Sequence, residues 1–121
     1  MTIIKRVLNP DRLRQVPEHF SWLDHRLVRE HYIERADACA WALYLFLLSV
    51  ADVHGLSYYS DATLSQRLRL PAPRLAQARC ELIALDLIAF EPPLYQVLSL
   101  PGTVPTSVHL QRLHAVLEGR S

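Results

Sequence analysis

The sequence predicts an α+β domain, mainly α, on three observations. Apolar residues recur at helical spacing in several segments, Pro71 and Pro73 punctuate two of those segments, and two β-rich runs follow around Pro92-Pro93. At 121 residues the chain is long enough for one core plus tails. Half the residues are hydrophobic and 21% are charged, which excludes disorder over most of the chain. The net charge of +1 excludes a strong overall field toward nucleic acid or membrane, so any basic binding surface has to be local. Cys39 and Cys80 lack CxxC spacing and no secretory signal precedes them, which predicts reduced thiols in a cytoplasmic protein.

Residues 1–19 read as an N-terminal extension. Pro10 and Pro17 argue against one continuous helix there, and the segment suits an arm that docks on the domain or on a partner. In FSWLDHRLVREHYI, residues 20–33, Phe20, Leu23 and Leu27 follow helical spacing while Phe20 and Trp22 alternate as in a strand. The expectation is a strand-like lead-in followed by a short helix from about Asp24. Asp37 then stands where a helix cap belongs and Gly55 where a helix stops, predicting a helix over 38–53. Its run ACAWALYLFLLSVA is fourteen residues long, short of the roughly 20 that span a bilayer, and reads as a core helix rather than a membrane segment. Because it is apolar nearly all round, it needs cover from neighbouring segments or from a second copy.

LSYYS, residues 56–60, has the aromatics of a short strand and ends on Ser60-Asp61, a helix start. Ala62, Leu64, Leu68 and Leu70 mark a helix over 61–69. Pro71 has no amide hydrogen and clashes with the preceding turn, so it ends that helix. Pro73 costs little in a first turn, whose N–H groups have no partner inside the helix anyway, so it begins the next. That helix, over 73–85, puts Leu75, Ala78, Leu82 and Leu85 on one face, with Arg74, Gln77 and either Arg79 or Cys80 on the other. Two helices joined by a turn of roughly three to four residues form a helix-turn-helix, whose second helix can lie in the major groove. LIAFE, residues 87–91, and LYQVLSL, residues 94–100, then read as a hairpin.

The stretch ALYLFLLSVADVHGLSYYSDATLSQRLRLPAPRLAQARCELIALDLIAF, residues 42–90, resembles the winged helix-turn-helix domain of bacterial transcription regulators and plasmid replication initiators. Leu48, Ala51-Asp52, Gly55, Ser60, Glu81-Leu82 and Leu87-Ile88 carry the likeness. Residues 20–100 are also similar to small uncharacterised proteins encoded near bacterial mobile elements. The resemblance implies a winged helix-turn-helix over 20–100, with 101–121 as a linker and C-terminal helix. The chain departs from the pattern at Asp86, where Gly is usual, and at Pro71, Ala72 and Pro73, where Ser or Thr is frequent. Its wing tip of Glu91, Pro92 and Pro93 carries no basic residue.

Between Ser65 and Cys80 stand four arginines, Arg67, Arg69, Arg74 and Arg79, and no acid. Such a local charge is the footprint of a DNA-facing surface; the bland alternative is a solvated helix face. Arg74 and Gln77 lie one turn apart, placed as a base-reading pair would be. Tyr58 and Tyr59 face opposite sides of a strand, so one is core and the other touches a phosphate or packs at the edge. Six histidines include no i, i+4 pair, so no metal is expected. The absence of GxSxG, of a Gly-rich phosphate loop and of a carboxylate cluster predicts no catalytic residue and no cofactor. A last helix over 106–118, capped by Ser107, carries Val108, Leu113, Val116 and Leu117 on one stripe. It packs back over the domain or pairs in a homodimer, which would suit a two-fold DNA site.

The expectation is a non-catalytic binder of double-stranded DNA, a transcription regulator or replication accessory of a mobile element. Arg74 and Gln77 would meet base edges; Arg67, Arg69, Arg79 and Tyr59 would meet the backbone. The alternative is a protein-interaction module on the same scaffold, its arginines serving solubility.

Overall fold

Caps and prolines set the element boundaries. The structure, a computed structural model, describes residues 3–103; the helix expected over 106–118 lies outside that range. Residues 3–19 of the N-terminal arm are exposed and hold one short 3-10 turn, Pro10–Arg12, with the Asn9 side chain as its cap. The strand-like lead-in does not form. A strand needs an edge to pair with and residues 20–23 meet none, so Phe20 and Trp22 stay 65% and 68% exposed. Ser21 Oγ instead donates to the Leu48 carbonyl at 3.0 Å, laying this segment across the next long helix. Helix α1, Arg26–Arg29, buries Leu27 and leads into a 3-10 turn, Tyr32–Arg35.

Asp37 accepts the Ala40 N–H at 2.9 Å and starts α2, Ala38–Val50. The Glu81 carboxylate accepts the Asp37 N–H at 3.4 Å and ties this start to the rest of the domain. The helix stops short of the expected residue 53. Ala51 is extended, and Asp52 draws the N–H groups of His54 and Leu56, at 2.8 and 2.9 Å, into a turn. The bonds from Leu56 and then His54 hold the Asp52 carboxyl below the usual carboxylate range. Gly55 is therefore not the helix stop but a point of close approach. Its φ is +83, and a Cβ there would meet the Val97 carbonyl oxygen at 2.6 Å.

Strand β1, Leu56–Tyr58, follows. Ser60 Oγ accepts the Thr63 N–H at 3.1 Å and opens α3, Asp61–Leu68. This helix closes on Arg69 in the left-handed conformation (φ 56), with the Leu70 N–H donating to the Ser65 carbonyl at 3.1 Å. Pro71 caps α4, Ala72–Ala84, and Pro73 occupies its first turn as the sequence predicts. Helix α4 leaves through Leu85 to Asp86, again left-handed at φ 61, where the Leu87 N–H donates to the Leu82 carbonyl at 3.0 Å. Strands β2, Ile88–Glu91, and β3, Leu94–Val97, complete an antiparallel sheet of order β1-β3-β2. Tyr95 of β3 stands opposite Ser57 on one side and Phe90 on the other.

The described residues thus form an α+β, mainly helical fold with one small three-stranded sheet. Leu43 and Leu47 of α2, Leu64 of α3, Leu75 and Leu82 of α4, and Tyr95 are fully buried together. Each such leucine contributes roughly 1.5–3 kcal/mol relative to exposure. Helix α2 is apolar on every side but buries Ala40, Leu43, Tyr44 and Leu47, one face at i, i+3, i+4 and i+7, against α4 and β3. On its opposite side Leu45 remains 63% exposed.

Candidate nucleic-acid interface

Burial of Leu75, Ala78 and Leu82 fixes the rotation of α4, and with it the direction of every other side chain on the helix. Arg74 and Gln77, three residues apart, are both exposed on the outer face, with Cys80 beyond them. Arg67 stands exposed in the last turn of α3, its guanidinium carbon 5.7 Å from the centre of the Phe46 ring. Arg69 is exposed at the left-handed cap, in the three-residue turn between the helices. Among the described residues none of Arg67, Arg69 and Arg74 forms an ion pair. The two helices therefore bring three uncompensated guanidinium groups and one amide to the region around their turn.

The fourth arginine departs from the expectation. Arg79 is only 12% exposed at its side chain, donates to Asp61 at 2.8 Å, and lies with its guanidinium carbon 4.3 Å from the Phe90 ring centre. Its position one residue past buried Ala78 turns it toward the sheet. It braces α4 against the first residue of α3 and against β2, and it is not free to meet a phosphate. Asp61 is the partner that sequence reasoning missed; an ion pair between residues 18 apart leaves no periodic signal.

Tyr59 is also displaced from its expected role. Its ring is partly buried, edge-on to Phe46 with centroids 5.0 Å apart, while Tyr58 is 70% exposed. Alternation fixes that adjacent strand residues diverge but not which one faces water. Within the core, burial pushes the Tyr95 phenol above its ordinary range.

The start of α4 offers an anion little backbone. Pro73 has no N–H, and the N–H groups of Arg74 and Leu75 both donate to the Pro71 carbonyl at 3.0 Å. Any attraction for an anion at this face accordingly has to come from side chains. The hairpin tip, Glu91 with Pro92 and Pro93, is exposed and adds no positive charge. Among the described residues no group of three His, Cys, Asp or Glu side chains is placed to hold a metal ion, and no helix is long and apolar enough to cross a membrane. Comparison with protein-family models, with curated proteins and with solved structures finds no match to this chain.

Proposed function

We propose that this chain binds duplex DNA without catalysis, through a winged helix-turn-helix in which α4 enters the major groove. The observation that carries the reading is the trio Arg67, Arg69 and Arg74, exposed around one turn with no ion-pair partner among the described residues. The order helix, strand, helix, helix, hairpin is compatible with that fold and supports it. Arg74 and Gln77 meet base edges, where Arg takes guanine and Gln adenine, and Arg67 and Arg69 meet phosphates. The biological role consistent with the resemblance is that of a transcription regulator or replication accessory of a mobile element.

Gel retardation of a random duplex at low salt tests the reading, with Arg74→Ala and Arg69→Ala combined as the variant. The pair should weaken binding at least severalfold and leave the melting temperature within about 8 °C of the parent, since two surface changes of about 0.5 kcal/mol each sum to about 1 kcal/mol. Unchanged binding would sink the site assignment. A protein-interaction module is the second reading, favoured by exposed Ile3, Ile4, Val7 and Leu8 on the arm. Absence of retardation for any duplex at low salt selects it over the first.

A further inference from the structure

A cleft of about 620 Å³ opens beside the C-terminal half of α2, lined by Phe20, Trp22, Tyr44, Leu48, Val97 and Leu100. Its rim carries two large aromatic side chains, Phe20 and Trp22, with most of their surface exposed. Aromatic groups so placed leave apolar surface in water that a matching apolar stripe would cover. The chain itself is delivered to this rim. Asp24 holds the Arg26 guanidinium at 2.8 Å, and Arg26 donates to the Pro101 carbonyl at 2.9 Å and to the Thr103 hydroxyl. Thr103 in turn donates its hydroxyl to the Leu100 carbonyl at 2.7 Å. Asp24 and Leu100 both line the cleft, so the last described residue is clasped at its edge. The pairing with Arg26 holds the Asp24 carboxyl low, which keeps the clasp charged.

We propose that the chain's own segment 104–121 occupies this cleft, seating Leu113 and Val116 against Phe20 and Trp22. The segment starts where the clasp ends, and its Leu113, Val116 and Leu117 have the spacing of one helical face. A partner arriving from solution would have to supply the same apolar stripe and also bear the entropy of association, which a tethered segment avoids. The proposal does not depend on DNA binding.

Trp22 reports directly on the site. Trp41 is the only other tryptophan, so the full-length Trp41→Phe chain leaves Trp22 as the single indole. In that chain Trp22 emission should be blue-shifted from that of the urea-unfolded protein and protected from iodide. Adding Leu113→Asp and Val116→Asp should shift it to longer wavelength and remove the protection while the far-ultraviolet signal of the core helices persists. A Trp22 already quenched as in urea, or one indifferent to the aspartates, overturns the proposal. A cysteine pair tests it without the Trp41 change: Trp22→Cys with Leu113→Cys, in a chain carrying Cys39→Ser and Cys80→Ser. Oxidation should give a disulfide within one monomer; no cross-link, or one joining two copies, overturns the assignment to the chain's own tail.

Discussion

Arg79 and Arg74 stand on the same helix in different surroundings, one paired and largely buried, the other exposed. The guanidinium of Arg79 lies between Asp61 and the Phe90 ring, so its charge is compensated and partly desolvated. Replacing it by Met keeps the aliphatic stem and removes the ion pair and the cation–π contact, which should cost about 1–2 kcal/mol. A thermal melt should show that loss as a fall of several degrees, with the salt dependence of DNA binding unchanged. A melting temperature equal to the parent's would remove Arg79 from the framework. Asp52 supports the turn through ionisation. Its folded pKa is depressed, so its contribution is complete above the unfolded value near 4 and is lost as pH falls through the lower folded value. In Asp52→Asn the amide oxygen keeps accepting the Leu56 and His54 N–H groups but no longer titrates. The drop in melting temperature between neutral pH and about pH 3 should therefore be smaller in the variant than in the parent.

At the scale of elements, the ends of α3 and α4 both use a non-glycine residue in the left-handed region, Arg69 at φ 56 and Asp86 at φ 61. Asp86→Gly should stabilise the domain by about 0.5–1 kcal/mol, a gain measurable by urea denaturation, because glycine adopts that conformation without the Cβ penalty. A loss of stability would mean that the Asp86 side chain contributes more than its backbone costs. The boundaries around α3 and α4 were legible because proline acts locally: Pro71 and Pro73 constrain φ and the amide wherever they stand. The end of α2 was not, because it depends on the Asp52 side chain reaching two later N–H groups before Gly55 is reached. The lead-in at Phe20 and Trp22 alternates like a strand, but alternation describes only one of the two partners a sheet requires. In the site, the apolar spacing of α4 carries both the exposure of Arg74 and Gln77 and the inward turn of Arg79, which stands four residues after Leu75 and three before Leu82, whereas its pairing with Asp61 and the exchange of Tyr58 and Tyr59 depend on contacts across the chain.

For the whole molecule, a net charge of +1 means that the proposed affinity for DNA has to come from a local cluster rather than from a general field. With Arg79 neutralised by Asp61, that cluster holds Arg67, Arg69 and Arg74. Two or three arginine–phosphate contacts predict a slope of roughly −2 to −3 in the logarithm of the binding constant against the logarithm of salt concentration. Affinity for a random duplex, measured across a salt series, is the most direct test of the central claim. The account predicts retardation at low salt with a slope in that range, reduced by about one when Arg69 is replaced by Ala. No binding at the lowest salt, or binding indifferent to salt, would contradict it.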